Sequence, residues 1–120
     1  MLDTKKDETK RADRPWGAWE VLHVGEGFKV KRIMVKPGQR LSLQSHKHRA
    51  EHWTVVKGTA LIVIGDKEDT VVYNQSRYID KGQKHRLENR TDAELEIIEV
   101  QCGDYLGEDD ITRYNDDYGR

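Results

Sequence analysis

The sequence predicts an all-β protein with a single domain, folded as a double sheet of the jelly-roll kind. Apolar and polar residues alternate with a period of two, turn signals recur about every eight to twelve residues, and no long segment has a convincing helical period. The length of 120 residues is normal for one domain and short for two. We therefore expect one folding unit that needs neither a disulfide nor a structural metal.

Four segments rich in β-branched residues carry the strand pattern, namely residues 28–35, 53–56, 61–64 and 95–100. Turn signals separate them; these lie at residues 25–27, 37–38, 57–58, 65–66, 73–74 and 81–82. Residues 1–13 are predicted to be a flexible tail and residues 14–120 the folded domain, with residues 104–120 as its terminal extension.

Charge and cysteine content exclude several classes of function. The 21 basic and 22 acidic residues nearly cancel, giving a formal net charge of -1, so neither nucleic acid nor a membrane surface is indicated as a partner. No apolar run approaches the ~20 residues that span a bilayer, and the N-terminus lacks the apolar core of a signal peptide. We expect a cytoplasmic protein. Cys102, the only cysteine, is predicted to be a small buried hydrophobe.

A polar stripe marks the segment 40–46, because successive side chains of a strand point to opposite faces. Leu41 and Leu43 share one face, and the other carries Arg40, Ser42, Gln44 and His46. Unpaired polar groups in a core cost about 1–3 kcal/mol each, so the stripe indicates either solvent or a lined pocket. The outward side of an edge strand remains the alternative interpretation.

Two further donors favour the pocket. Glu51 and His85 come from other predicted strands, and with Gln44 and His46 they give four potential ligands for one divalent metal ion. Imidazole nitrogen and carboxylate oxygen suit zinc, manganese, iron, cobalt or nickel, and an amide oxygen favours harder ions without excluding zinc. His52 has the opposite parity to Glu51 and is predicted to lie on the outer face. We expect His23 at the surface.

These residues fall into two motifs, Gly38-x5-Gln44-x-His46-x4-Glu51-x6-Gly58 and Asn74-x5-Asp80-x-Gly82-x2-His85-x3-Asn89. The motifs resemble the paired motifs of the cupin superfamily, double-stranded β-helix barrels that hold a metal in the lumen. Gln44 stands where the family has its first histidine, and Asn74 and Asp80 replace a glycine and a proline at turn positions. A rival register would pair His46 with His48, but it fits the glycine spacing less well.

A narrower resemblance covers residues 14–120. The chain is similar to the C-terminal cupin domain of type II phosphomannose isomerases, which in many members follows a mannose-1-phosphate guanylyltransferase domain. The matching segments include Arg14-Pro-Trp-Gly, Leu41-Ser-Leu-Gln44, His48-Arg-Ala-Glu-His-Trp53, His85-Arg-Leu-Glu-Asn89 and Tyr105-Leu-Gly-Glu-Asp-Asp-Ile111. The chain is too short for the nucleotidyltransferase domain, so we expect no guanylyl transfer from it alone.

The resemblance implies an aldose–ketose isomerase that interconverts mannose 6-phosphate and fructose 6-phosphate with one divalent metal ion, zinc being the first choice. It places the protein in GDP-mannose and polysaccharide precursor metabolism. The expected partners are a hexose 6-phosphate, a second copy in a homodimer, and a separate guanylyltransferase. Two alternatives stay open: a cupin that binds a sugar phosphate without turnover, and another metal-dependent cupin enzyme such as an oxygenase.

Candidate roles follow for the remaining polar residues. His48 and Arg49 are predicted to be catalytic, His48 as the proton carrier with Glu88 as the second candidate. The phosphate is predicted to contact four cations: Arg40, Arg49, Lys84 and Arg120. Arg86 is predicted to lie on a solvated face. Three aromatic residues are predicted to serve as core or interface anchors, with residues 14–19 as an arm exchanged in the dimer; they are Trp16, Trp19 and Trp53.

Overall fold

The structure, a computed structural model, describes residues 10–115. This part of the chain contains eleven β-strands, and none of its residues form a helix long and apolar enough to cross a membrane. The strands are β1 Arg11–Arg14, β2 Gly17–Gly25, β3 Phe28–Val35, β4 Leu43–Ser45, β5 Arg49–Lys57, β6 Thr59–Ile64, β7 Lys67–Val72, β8 Ser76–Ile79, β9 His85–Glu88, β10 Leu95–Gly103 and β11 Thr112–Asn115. The four predicted strand segments all lie within strands.

The strands form two antiparallel sheets. One has the order β1-β2-β3-β10-β5-β8 and the other β11-β4-β9-β6-β7. A single cluster of buried apolar residues joins them, with Trp53 and Ile97 from the first sheet and Ile62 and Leu87 from the second. Apolar and polar residues alternate along the strands because one face of each sheet packs on this core while the other faces solvent.

The inward face of the first sheet changes from apolar to polar along its length. Ile33 of β3 lies opposite Ile97 of β10, whereas two residues along, Lys31 lies opposite Glu99. The same change occurs on the inward face of all three central strands. The buried residues of that face are Lys29, Lys31, Ile33 and Val35 in β3, Arg49, Glu51, Trp53 and Val55 in β5, and Leu95, Ile97, Glu99 and Gln101 in β10. One half of the interior is therefore a hydrophobic core, and the other half is lined by charged groups.

Both ends of the described chain are part of this architecture. Strand β1 pairs with β2 from Arg11 onward, so ordered structure begins within the segment predicted as a tail. Trp16 and Trp19 are buried in the chain's own core; with Trp53 this confirms their structural role, and residues 14–19 pack on the chain itself. Strand β11 pairs with β4, so residues 112–115 of the predicted terminal extension belong to the second sheet.

The predicted turns are confirmed, and one explains a departure from the cupin motif. Asn74 has a φ of 76°, the left-handed conformation that asparagine tolerates better than other residues with a side chain. It therefore replaces glycine without disrupting the turn. Position 58, by contrast, accepts only glycine, because a Cβ there would lie 2.4 Å from the backbone oxygen of Glu94.

Cys102 is exposed, which corrects the prediction that it is buried. It follows Gln101 in β10, and Gln101 is fully buried. Strand parity therefore directs the cysteine outward.

Candidate metal centre and cavity

The four predicted metal ligands come from both sheets. Gln44 lies in β4 directly opposite His85, the first residue of β9, while Glu51 lies in β5 on the other sheet. His46 follows β4 immediately. One ligand atom from each of His46, Glu51 and His85 can be chosen so that all three lie within 4.8 Å of one another. The fold thus brings together three residues that are up to 39 positions apart in the sequence.

Backbone carbonyls determine the tautomer of each histidine. His46 Nδ1 lies 2.7 Å from the carbonyl oxygen of Asp110, and His85 Nδ1 lies 2.9 Å from that of Gln83. A carbonyl only accepts hydrogen bonds, so each Nδ1 carries the hydrogen and each Nε2 presents a lone pair. Metal-binding histidines are commonly oriented in this way by a second hydrogen bond.

The two lone pairs face a carboxylate. His46 Nε2 is 3.3 Å from Glu51 Oε2, and His85 Nε2 is 3.9 Å from Glu51 Oε1. Among residues 10–115, the buried Nε2 of His85 has no hydrogen-bond partner. The Arg49 guanidinium supplies part of the positive charge here, with its Nη2 3.4 Å from His46 Nε2. It leaves His85 Nε2 without a donor, and a buried acceptor without a donor or cation is unfavourable. The donor set therefore fits a divalent metal ion.

Gln44 is placed to complete this set. Its amide nitrogen donates to the hydroxyl oxygen of Ser42 at 2.9 Å, which leaves the amide oxygen as the atom of Gln44 that could bind a cation. The side chain is half-buried and lines the same cavity as Glu51 and His85.

Burial keeps both imidazoles neutral, the form that binds metal. Burial lowers the pKa of His46 to about 4, and the nearby Arg49 charge adds to this effect against the opposing influence of Glu51. The pKa of His85 is lowered chiefly by burial as well. Both rings are therefore ready to bind a cation at neutral pH without first losing a proton.

Arg49 and Trp53 hold the Glu51 carboxylate. The guanidinium Nε of Arg49 donates to Glu51 Oε2 at 2.7 Å, and the indole nitrogen of Trp53 donates to Oε1 at 2.8 Å. Burial alone would raise the pKa of Glu51, but neighbouring positive charge, that of Arg49 first, outweighs burial and lowers it. Glu51 is therefore ionised, and its negative charge is available to a cation.

A cavity between the sheets opens onto this cluster. Its lining carries six basic residues and three acidic ones. The basic residues are Lys10, Arg14, Lys31, Arg49, Arg86 and Arg113, and the acidic ones are Glu51, Glu99 and Glu108. An excess of positive charge beside an ordered carboxylate suits an anionic ligand that also carries oxygens for a metal.

Comparison with known proteins establishes the family. Residues 3–116 match the model described as "Mannose-6-phosphate isomerase C-terminal". The chain belongs to this family. The cupin fold is also confirmed, because the structure superimposes on a protein from Silicibacter pomeroyi DSS-3 described as a sugar phosphate isomerase from a cupin superfamily. That match has a TM-score of 0.67 and 22% identity, and it covers 85% of this chain and 74% of the other.

Two relatives are much closer in sequence. The xanthan biosynthesis protein XanB of Xanthomonas campestris pv. campestris (strain B100) is 56% identical over 111 residues, 92% of this chain and 24% of XanB. A mannose-1-phosphate guanylyltransferase of Salmonella montevideo is 53% identical over 107 residues, 89% of this chain and 23% of the relative. The chain thus spans about a quarter of the length of the curated relatives it matches.

Within this member of the mannose-6-phosphate isomerase C-terminal family, the other predicted site residues separate into two groups. Arg49 lines the cavity. Three others lie elsewhere: Arg40 contacts Glu88 at 3.7 Å, Lys84 lies with its Nζ 4.3 Å from the centre of the Tyr114 ring, and His48 has a side chain 51% exposed. Arg120 lies outside the described residues.

The stripe predicted for residues 40–46 is interrupted, which explains the position of Arg40. Strand β4 begins only at Leu43, and Arg40 forms an isolated bridge to Glu88. Strand parity does not extend across residues that are not in a strand. Leu41 consequently joins Ser42 and Gln44 in the cavity lining.

Arg86 corrects the expectation of a solvated face. It is buried, lines the cavity, and donates to the backbone oxygens of Leu41 at 2.8 Å and Asn115 at 3.0 Å. All four residues of β9 are buried, so this strand has no solvated side. His52 and His23 are exposed as predicted.

Two acidic residues of the cavity are not among the predicted site residues. Glu108 receives hydrogen bonds from Lys31 Nζ at 3.0 Å, and burial raises its pKa less than the lysines lower it. Glu99 is different, because burial, together with the charge of Glu51, raises its pKa to about 8. Strand parity could have identified Glu99, since it continues the inward series of Leu95 and Ile97.

We expect the contribution of Glu99 to the free energy of unfolding to fall as the pH rises from about 4.5 to about 8. The folded protein keeps the Glu99 proton through this range whereas the unfolded chain releases it, so raising the pH favours unfolding. Urea denaturation at about pH 5 and about pH 9 should show Glu99→Gln gaining stability relative to the wild type at the higher pH. An unchanged difference between the two proteins would contradict this assignment.

Proposed function

We propose that this chain is a metal-dependent aldose–ketose isomerase that interconverts mannose 6-phosphate and fructose 6-phosphate. The observation that carries the proposal is the buried trio of His46, Glu51 and His85, in which two imidazole lone pairs face a carboxylate beside a basic cavity. Membership of the family supports the choice of sugar. A structural neighbour is itself described as a sugar phosphate isomerase.

His46, Glu51, His85 and Gln44 would hold one divalent ion, with zinc the first choice and manganese, cobalt, iron or nickel as alternatives. When bound there, the ion supplies Lewis-acid chemistry that stabilises negative charge on the sugar oxygens. Asp110 orients the ligand His46 through its backbone carbonyl. Its carboxylate accepts hydrogen bonds from the backbone nitrogens of Lys47 and His48, each at 2.9 Å, which fixes the segment that follows His46.

Arg49 is proposed to bind the reacting end of the sugar. Its guanidinium is buried and lines the cavity, and Nη1 has no hydrogen-bond partner among residues 10–115. A buried donor of this kind gains a partner when a substrate oxygen arrives, and its fixed positive charge favours the negative charge that develops on that oxygen. Arg49 thus serves both Glu51 and the substrate.

The phosphate is proposed to bind at basic residues of the cavity rather than at Arg40 or Lys84. Arg14 and Lys10 approach from the N-terminal segment, and Arg113 approaches from β11 on the other sheet. Arginine presents paired N–H groups that match phosphate oxygens. The two sheets would then hold the substrate from both sides, with its phosphate away from the core.

The test is a coupled assay for mannose 6-phosphate conversion with protein stripped of metal and then reloaded with each candidate ion. We expect no turnover in the stripped protein and recovery with at least one ion. Mannose without the phosphate should be a poor substrate, because the contacts between the phosphate and the basic residues of the cavity would be lost. Absence of turnover with every ion, despite saturable binding of mannose 6-phosphate, would overturn the proposal.

That contrary result would favour the second candidate, a sugar-phosphate-binding module that acts with a guanylyltransferase. A specific observation supports this alternative: the chain matches 23% of a relative named as a mannose-1-phosphate guanylyltransferase. In either case we propose a role in the precursor metabolism of polysaccharides, as the name of the xanthan biosynthesis relative suggests. The homodimer and the oxygenase alternative remain predictions from the sequence.

A further inference from the structure

We propose that Glu99 is the catalytic acid–base residue that carries the proton between C1 and C2 of the sugar phosphate. This inference rests on the isomerase function proposed above and deepens it. The predicted proton carrier His48 does not line the cavity, and its Nδ1 lies 3.7 Å from the carboxylate of the exposed Asp104. The proton must therefore be carried by a group that reaches the cavity itself.

Glu99 occupies a suitable position in the fold. It lies in β10, opposite Lys31 of β3 and opposite Trp53 of β5. The residue is only 4% exposed to solvent, and it lines the same cavity as Glu51 and His85. A substrate that fills the cavity would exclude water from Glu99, which is the condition for retaining an abstracted proton during isomerisation.

The other two carboxylates of the cavity are already paired with positively charged side chains. Glu51 accepts hydrogen bonds from Arg49 and Trp53 and faces both imidazoles. Glu108 accepts hydrogen bonds from the ammonium groups of Lys29 and Lys31. Cations hold both groups ionised, so neither can readily carry a proton.

Glu99 is held by a neutral group instead. Within residues 10–115 its carboxylate accepts a hydrogen bond from the side-chain amide of Gln101, at 2.7 Å. The charged groups around it are Lys31 from β3, Arg49 and Glu51 from β5, and Glu108, which contacts Lys31, from the segment after β10. Burial and the Glu51 charge favour its neutral form and raise its pKa to about 8. Because no ion pair within residues 10–115 fixes Glu99 as a carboxylate, it can take up and release a proton, as general acid–base catalysis requires.

The step balances without an oxidant or reductant. Starting from the open-chain aldose, the Glu99 carboxylate takes the proton of C2, and the electron pair of the broken C–H bond forms the C1=C2 bond while negative charge moves to O1. The O2 hydroxyl proton then moves to O1. Glu99 returns its proton to C1, the C1=C2 pair forms the new C1–H bond, and C2=O forms. One proton has moved from C2 to C1 and another from O2 to O1.

The experiment compares Glu99→Gln with wild-type protein, both loaded with metal. We expect kcat to fall by about 10²–10⁴-fold, the usual contribution of a general acid–base group. Bound metal and the dissociation constant for mannose 6-phosphate should stay within about threefold, because the amide preserves shape and Glu99 is not a proposed ligand. Loss of deuterium from C2 of labelled mannose 6-phosphate, whether to C1 or to water and here called C2 exchange, should fall in parallel with kcat.

Two further variants keep the test decisive. Glu96→Gln is the matched control: Glu96 lies on the same strand, outside the cavity lining, and is paired with Arg32, so near wild-type turnover is expected. Glu99→Asp keeps a carboxylate but shortens it. It should retain metal and recover part of the C2 exchange that is lost in Glu99→Gln. If the glutamine variant does not fold, the aspartate variant alone tests the role of Glu99, because its C2 exchange should be at least about tenfold slower than that of the wild type.

Wild-type rates of C2 exchange in Glu99→Gln, or in Glu99→Asp, would overturn the role of Glu99 and leave the isomerase proposal intact. The same applies if turnover in Glu99→Gln falls only in proportion to lost metal, because Glu99 would then support the metal centre. Wild-type protein that fails to isomerise with any ion would instead overturn the proposed function, and the role of Glu99 with it.

Discussion

Replacing His85 with alanine is expected to abolish the proposed metal binding and the proposed isomerase activity together. His85 is buried, its Nδ1 donates to the carbonyl of Gln83, and its Nε2 lone pair faces Glu51. Alanine removes a nitrogen ligand and leaves the Glu51 carboxylate with one imidazole fewer. Substituting a residue that only supports a metal ligand typically lowers metal affinity by about 10–100-fold. Loss of a ligand itself should therefore lower it by at least about 100-fold.

Metal content after dialysis, measured by inductively coupled plasma mass spectrometry, checks this prediction alongside the coupled assay. His52→Ala is the matched control, because His52 is an exposed histidine one position from Glu51 and on the opposite face of β5. It should keep full metal occupancy. Full occupancy in His85→Ala would refute the ligand assignment.

The second large effect is expected at Arg49, where two substitutions separate stability from chemistry. Arg49→Ala leaves Glu51 as an uncompensated buried charge, which should destabilise the metal-free protein by about 3–5 kcal/mol. Arg49→Lys retains a positive charge but lacks the paired N–H groups and the Nη1 donor. It should fold, hold metal, and lose about 10²-fold in kcat/KM, similar to the loss of a hydrogen-bond donor that stabilises an oxyanion.

Urea denaturation of the metal-free proteins measures the first effect and steady-state kinetics the second. Arg77→Lys provides the control: Arg77 is also paired with a carboxylate, that of Asp69, but it lies outside the cavity lining. It should change neither quantity appreciably, as expected for a partly exposed pair. If Arg49→Lys retained wild-type kcat/KM, Arg49 would act only through Glu51.

Much of the fold follows from local sequence pattern. Strand β3 coincides with its predicted segment, and β5, β6 and β10 contain theirs. Five strands lack a predicted counterpart, namely β1, β2, β7, β8 and β11. Three of these illustrate why they were not identified. The register of β2 shifts between Val21 and His23, β7 is largely charged and exposed, and β8 has only four residues. Bulges and edge strands depend on their neighbours, so periodicity alone does not identify them.

The candidate metal site could be predicted from the spacing of the motifs. The structure brings three of the four predicted ligands, His46, Glu51 and His85, into one cluster. The residues around that site were harder to predict. Arg40 and Arg86 show the reason: the first lies where the strand has not yet begun, and the second lies in a strand buried on both faces. A polar residue in the sequence does not reveal whether another strand covers it.

The sequence by itself determined the strand parity that points Glu51 and Glu99 inward and the motif spacing that selects Gln44, His46 and His85. Only the tertiary structure decided which inward groups meet. Cross-strand register places Glu99 opposite both Lys31 and Trp53, and the pairing of β11 with β4 brings Arg113 to the cavity. The physical reason is that side-chain direction in a strand is a local property, whereas register and the pairing of distant strands depend on packing of the whole core.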